Sequence, residues 1–587
     1  MLEALVAAAT FPFRPLRPIH AIFLAFPLPL FLAALVSDFA YWSTFQVQWT
    51  NFSSWLIAAG LVGGGFALIC ALIGLLSVLV APDRKRIAYL IVLSVMWVLG
   101  FIDAFVHAKD AHATMPEGLY LSALVTLLAL ISCWIGYSGF HAGEAAWRWY
   151  LLIAALAIAL SGCDEDPGPL QYGPNPNLPE PQRGLLPQMT IPRPVLQSEA
   201  PPRVRNGYTI RAIATNLMIP RQTLVLPNGD ILVAEGTGGG APALRPKDFI
   251  ANYIKSLGKS SVKGGNRLTL LQDVDGDGSY KKQVVFADNL NAPYGLALIR
   301  GTLYVANQDA VVRFDYRDGQ TQASGAPIKV ADLPSAINHH WTKAMTASSD
   351  GRFFYVGIGS NSNITERGMD VEANRAMVWQ IDAQSGAHKP YATGLRNPTA
   401  LTIQPGTDQL WAVVNERDEI GPNLVPDYLT AVREGAFYGW AYSYWGHNVD
   451  PRAQPQDPQK VASAIRPDYG LGSHVAALGV AFSTPAMGAD FADGVFIGEH
   501  GSWNRSVPVG YQVVFVPFKD GQPAGSPMEF VSGFLGDDGK VRGRPVGVTV
   551  DPRGALIVAD DLSNTVWGLA KEQKPAASGQ SQPIRTR

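Results

Sequence analysis

Hydrophobic positions fall into two regimes along this chain. Residues 20–42, 54–81, 88–108 and 119–139 are nearly unbroken apolar runs, each long enough to cross the ~30 Å hydrocarbon core of a bilayer. A fifth run, residues 150–162, is shorter, and reads as a tilted or thinned span or as a signal-type segment. The first run starts inside the chain and three long ones follow it, which is the order of an integral membrane domain and not of a cleaved leader. Beyond residue 206 the runs shorten. Six times a short apolar run, a turn containing Gly and a hydrophobic strand follow one another, at residues 222–236, 293–307, 340–360, 397–416, 479–501 and 544–560. The first unit carries Asn228-Gly229 between two apolar strands, a strong hairpin signal. Strand-rich units recurring at such long intervals predict an all-β six-bladed β-propeller, preceded here by an α-helical transmembrane domain.

Composition sharpens the division. The formal charge of −2 over 587 residues argues against a nucleic-acid surface. Four parts are expected: a membrane domain over residues 1–163 with four or five helices, a Pro-rich linker over 164–205, the propeller over 206–570, and a disordered tail over 571–587. In extended form the linker would reach on the order of 120 Å at ~3.1 Å per residue, and it reads as a tether that keeps the propeller near the membrane without packing on it. Arg14 and Arg17 precede the first run, Arg84-Lys85-Arg86 lies between the second and third, and Arg148 precedes the fifth. The positive-inside rule puts the N-terminus in the cytoplasm. With five crossings the propeller is outside; with four it is cytoplasmic. The fifth run ends Leu160-Ser161-Gly162-Cys163, which resembles a bacterial lipobox; an ordinary apolar helix ending in small residues is the other reading. Cys70 and Cys133 lie in the spans, so no disulfide is expected in the propeller.

Two clusters open neighbouring units, Asn338-His339-His340-Trp341-Thr342-Lys343 and Gly394-Leu395-Arg396-Asn397-Pro398. Residues just before a blade's first strand point into the axial funnel, so His340, Arg396 and Arg544 are expected to converge although far apart in sequence. An imidazole titrates near 6.5 and can act as general base at neutral pH. A guanidinium and an amide side by side, Arg396 and Asn397, can donate to a developing oxyanion. Arg542 and Arg544, at i and i+2, would present two forks from one strand face to carboxylates.

With Asn415-Glu416-Arg417-Asp418, Val425-Pro426-Asp427-Tyr428-Leu429, Phe437-Tyr438-Gly439-Trp440 and Arg542-Gly543-Arg544-Pro545-Val546, these clusters resemble the pyrroloquinoline quinone (PQQ) sugar dehydrogenases. The sorbosone and aldose sugar dehydrogenases are the branch most similar, and the soluble quinoprotein glucose dehydrogenase is more distant. The resemblance covers about residues 206–570. It implies His340 as base, Arg396 and Asn397 facing the quinone, and Arg542 and Arg544 on cofactor carboxylates. Arg505, Tyr294 and Lys343 complete the implied cofactor set. It also implies calcium at the turn Arg417-Asp418. His339 stands where the glucose enzyme has an acidic residue, and a cofactor-binding lysine of that enzyme has no clear equivalent. Separately, Asp273, Asp275 and Asp277 have the spacing of a calcium loop or of a plain Asp/Gly turn; Val284 at the twelfth position excludes an EF-hand.

The resemblance implies an oxidoreductase acting on an aldose or a sorbosone-like aldehyde, with membrane quinone or a cytochrome as electron acceptor. The spans and basic loops, read with five crossings, place it as an inner-membrane-anchored periplasmic enzyme. A calcium-dependent lactonase or gluconolactonase propeller, or a non-catalytic sugar-binding propeller, are the alternatives. Asp38, Asp103 and His107 are intramembrane ionisable residues, and Asp103 and His107 share a helical face. They could frame a haem or quinone site, or the domain could be an anchor. Residues 20–27 faintly resemble an uncharacterised four-helix membrane family.

Overall fold

The computed structural model describes residues 16–76, 84–109, 111–138, 171–181, 190–195, 201–260, 262–275 and 278–572. The fifth apolar run, Cys163, Asp277 and the tail lie outside the described residues.

Helices α1 (Pro18–Leu24), α2 (Pro27–Thr44), α3 (Val47–Leu76), α4 (Arg84–Val106) and α5 (Glu117–Tyr137) form one bundle. Pro27 cannot donate a backbone hydrogen bond, and the first span is interrupted just before it. Four segments are long and apolar enough to cross a membrane: Pro18–Thr44, Val47–Leu76, Arg86–Val106 and Glu117–Tyr137. Small residues let them approach closely. A Cβ on Gly60 would stand 2.8 Å from the Phe31 ring, and one on Gly63 would meet Phe26. Large apolar side chains such as Ile69, Phe101 and Leu130 face outward, as a lipid-contacting surface requires.

The remainder is a six-bladed β-propeller of antiparallel four-stranded sheets. The six hairpins read from the sequence are the two inner strands of the six blades, for example Pro220–Val225 with Ile231–Glu235 in blade one and Met345–Ala347 with Phe353–Ile358 in blade three. The innermost strand of each blade touches the innermost strands of both neighbours, which closes the ring. Blade six is composite. Its three inner strands, Pro545–Val550, Leu556–Asp560 and Thr565–Lys571, are completed by Tyr208–Ala214 from the start of the domain, with Trp567 opposite Ala212.

Two expectations change. The Pro-rich segment is not a free tether where it is described. Tyr172–Gly173 pairs with the outer strand of blade four, Arg203–Val204 with that of blade five, and Arg193–Pro194 with Lys540–Val541. Outer strands carry unpaired N–H and C=O groups, and these short stretches satisfy them. Nor is the propeller free of the bundle. An insertion between two strands of blade one carries helix α6 (Pro246–Leu257), and Trp55 of α3 donates to Leu244 O at 2.9 Å. Arg245 donates to Lys109 O at 2.7 Å, beyond the end of α4. The apolar positions Phe249, Ile250, Tyr253 and Leu257 have the spacing of one helical face and stand exposed beside α3.

Candidate active site

A cavity of about 600 Å³ occupies the funnel mouth. His340 lies in the loop leading into the first strand of blade three and lines it. His340 Nδ1 is 2.9 Å from Ser360 O. A carbonyl only accepts, so Nδ1 carries the proton and Nε2 keeps its lone pair. Burial, then the Arg396 guanidinium, hold the imidazole well below its ordinary range, so it is neutral at physiological pH. His339 packs edge-on at 4.7 Å and is likewise pushed down to about 3 by burial and Arg396.

Arg396 and Asn397 immediately precede the first strand of blade four, Pro398–Ile403. Arg396 Nε donates to Asn363 O, one terminal nitrogen to Asn415 O and Glu416 O, and the other to Asn363 Oδ1. Four of its five N–H groups are thus committed, which fixes the fork rigidly in the wall. Asn397 is buried and its Oδ1 has no donor. Gly359 explains how the two clusters meet. A Cβ there would fall 2.3 Å from Asn397 Oδ1 and 2.6 Å from His340 Cβ. Only glycine lets blades three and four approach closely enough to set His340 beside Asn397.

Acidic groups stand beside Arg396, which lies 3.9 Å from Asp418 Oδ2 and donates to Glu416 O. Asp418 Oδ1 accepts from Asn504 at 2.6 Å and lies 3.3 Å from His474 Nδ1. Burial opposes its charge, but His474 and Arg396 outweigh that and hold it at about 2. Glu416 and Asp427 are pushed up to about 7 and about 6, chiefly by burial. Across from them α6 brings Lys255 into the cavity, its Nζ 4.1 Å over the Trp503 ring. Burial pulls its pKa down, while Asp418 and Glu419 act to keep it charged. The membrane bundle closes one side: Phe105, Ala108 and Lys109 line the same cavity as His340.

The fold therefore brings His340, Arg396, Asn397 and Asp418 together. Other expected residues fall elsewhere. Arg542 and Arg544 are not on a strand face; they lie in the connection before Pro545–Val550. Gly543 packs against Asp560 and Phe534, and Asp560 accepts the Arg544 N–H at 2.8 Å, which bends the segment out of strand geometry. The Arg542 fork pairs with Asp538 at 3.1 Å. The Arg544 guanidinium stands next to Gly258, at the end of α6. Arg505 is buried, donating to Pro422 O and Asn423 Oδ1. Tyr294 donates to Leu478 O, and Lys343 to Asn338 Oδ1 and Trp341 O, both behind the cavity wall. Arg417 is fully buried against Asp450.

Calcium is not shown at either expected place. The Asp418 carbonyl already accepts from Arg417 and Asn363. Asp273 is paired with Arg553, and Asp275 with Lys281. Among the described residues no group of three or more His, Cys, Asp or Glu side chains is arranged to hold a metal ion. Sequence reasoning missed Lys255, Glu416 and Asp427 as cavity residues. The helical spacing of Phe249, Ile250, Tyr253 and Leu257 was the available signal for the first.

Comparison with known proteins agrees with this architecture. The family description TrAA12-like matches residues 259–427 and 444–572, and that of predicted membrane protein DUF2231 matches residues 16–149. A protein of Borreliella burgdorferi is 25% identical over 301 residues, covering 50% of this chain and 79% of the relative. The pyrroloquinoline quinone-dependent pyranose dehydrogenase of Coprinopsis cinerea is 23% identical over 358 residues, covering 54% of this chain. This chain spans only 44% of that relative's length. The solved PQQ domain of Coprinopsis cinerea pyranose dehydrogenase, in its holo form, superposes with a TM-score of 0.52 at 19% identity, over 64% of this chain and 98% of the other. With a family description spanning half its length across the propeller, this chain belongs to the TrAA12-like family.

Proposed function

We propose that this protein is a membrane-anchored, PQQ-dependent dehydrogenase of an aldose or a sugar-derived aldehyde of the sorbosone type. One observation carries the reading: a neutral His340, its tautomer fixed by Ser360, stands beside a rigidly held Arg396 and an Asn397 whose buried amide oxygen is unpaired. The pyranose dehydrogenase among its relatives is PQQ-dependent by name.

The cavity suits such a cofactor in size and in donors. At about 600 Å³ it falls within the ordinary range for small-molecule sites, roughly 300–1,000 Å³. Lys255, Arg367 and Arg396 line it and offer cationic donors to an anionic cofactor. When bound, PQQ supplies a quinone carbonyl that accepts hydride. His340 Nε2 takes the proton of the substrate hydroxyl as the neighbouring carbon is oxidised. The remaining N–H of Arg396 and the Asn397 amide orient the reacting groups and stabilise negative charge that develops beside them. Apo-protein supplied with PQQ, with and without Ca²⁺, should reduce a dye in the presence of sugar. Absence of dye reduction with every aldose and aldehyde tried, together with lactone hydrolysis, would replace this reading by a hydrolase.

An outer, periplasmic position for the propeller is part of the proposal, and the bundle supports it. The ends of the spans at Trp55 and Lys109 meet the propeller, whereas Ser138 and Arg86 are at the opposite ends. One further crossing between Ser138 and the propeller reconciles the two, and the short fifth run is the segment available for it.

A further inference from the structure

Inside the membrane bundle, four side chains from three spans close on one another. His107 Nε2 is 2.9 Å from Asp38 Oδ1, and His107 Nδ1 is 3.0 Å from both the backbone oxygen and Oδ1 of Asp103. Ser122 Oγ is 2.6 Å from Asp38 Oδ2 and 3.0 Å from Asp103 Oδ2. Asp38, Asp103 and His107 have no solvent exposure, and Ser122 has 1%. The remaining span, Val47–Leu76, joins through Ser54, whose hydroxyl donates to His107 O at 3.2 Å. Gly118 makes room, since a Cβ there would stand 2.9 Å from His107 Cε1.

The distances fix where the protons are. The Asp103 carbonyl can only accept, so His107 Nδ1 bears hydrogen. Ser122 has one proton and two carboxyl neighbours, so it can donate to only one of them, and the other must donate to it. Its 2.6 Å contact with Asp38 falls in the range of a hydroxyl donating to an anion, about 2.5–2.7 Å, and the 3.0 Å contact with Asp103 does not. Asp38 is therefore the carboxylate, paired with the imidazolium, and Asp103 is the neutral acid that donates to Ser122. Asp103 Oδ1 stands beside the His107 Nδ1–H that the Asp103 backbone carbonyl also shares, and as the carbonyl oxygen of a neutral acid it needs no other donor. The ring as a whole is uncharged. Two ionised carboxylates with a neutral histidine would instead leave net negative charge in hydrocarbon, which is far costlier.

We infer that Asp38, His107, Asp103 and Ser122 form an exchangeable proton-holding site within the membrane domain. Asp103 carries the labile proton, and Ala108 and Lys109, the next residues after His107, line the cavity through which it equilibrates. The site does not depend on the dehydrogenase reading. A purely structural clasp would use the same contacts but would lock its proton in place.

The test is infrared spectroscopy of the full-length protein in detergent or nanodiscs. Spectra are taken about two units above the pKa of Glu499, at about 8, so that it and Glu372 and Glu416, at about 7, have largely ionised. The wild type should show a protonated-carboxyl stretch that shifts in D₂O. Asp103→Asn, which keeps the shape and the donor to Ser122, should fold and lose that band. Ser122→Ala should keep the band and move it to higher frequency, because the acid loses its acceptor. Absence of the band from wild type, its persistence in Asp103→Asn, or its failure to shift in D₂O would each overturn the inference. Should Asp103→Asn not fold, the wild-type D₂O shift and the Ser122→Ala displacement still decide it.

Discussion

Replacing His340 by Ala removes a cavity imidazole whose proton position is dictated by the Ser360 carbonyl. Positioned general bases contribute ~10²–10⁴ in rate, so turnover should fall by that factor, about 2.7–5.5 kcal/mol of barrier. Cofactor affinity should hardly change, because Lys255 and Arg396 keep their places without it. The pH profile gives an independent reading of the same group. The reaction needs the unprotonated ring, and burial with Arg396 holds the pKa well below 6.5. The acidic limb of kcat/KM should therefore appear well below the ordinary imidazole range, with the rate falling as pH drops through it. Ser360→Ala is a useful control: it removes the Oγ contact at 3.0 Å but leaves the carbonyl contact at 2.9 Å, so the rate should stay close to wild type. Stopped-flow dye reduction with PQQ-loaded protein measures all three. A His340→Ala enzyme within a few-fold of wild type, or an acidic limb at or above 6.5, would refute the assignment.

Lys255→Ala should weaken PQQ binding by ~1.5–3 kcal/mol, the range for a charged hydrogen bond, while Arg542→Ala, whose fork is held by Asp538, should leave it unchanged; fluorescence titration that ranks them the other way would reject this cofactor pose. An alkaline phosphatase fused after Arg205 should be active and one fused at residue 140 inactive; the same side for both would remove the fifth crossing. Glu499 is pushed up to about 8 by burial, so the native state holds its proton more tightly than the unfolded chain. Its contribution is full below about 4.5 and is lost as pH rises through about 8. Glu499→Gln, which keeps an acceptor for Gln512, should raise Tm relative to wild type above pH 8 and matter little in acid; a Tm difference that does not grow with pH would contradict this.

Much of the architecture was legible because it rests on local periodicity. Apolar runs of membrane length and hairpins such as Val225 to Ile231 encode spans and blades directly, and the repeat predicted that His340 and Arg396 would meet. Lys255 was not legible, because its place depends on how an insertion in blade one folds back over the funnel; its own helix shows only an amphipathic spacing, not what it covers. Arg542 and Arg544 misled for the opposite reason. Their i, i+2 spacing fits a strand, but Asp560, distant in sequence until the hairpin forms, captures the Arg544 N–H and bends the backbone. The Asp273 loop likewise looked like a ligand set until Arg553, from blade six, took its first carboxylate.

Blade six joins Tyr208–Ala214 to Thr565–Lys571, and this seam has a consequence for biogenesis. The strand made first in the domain has no partner until the strand made last has been synthesised and has reached the same compartment. Under the periplasmic placement proposed above, a chain threaded through a translocon in order can fold single blades as they emerge, yet it cannot lock into a ring. It therefore stays pliable until its far end is through. Ring closure then acts as a ratchet: once Trp567 lies opposite Ala212, the folded domain is too wide to slip back the way it came.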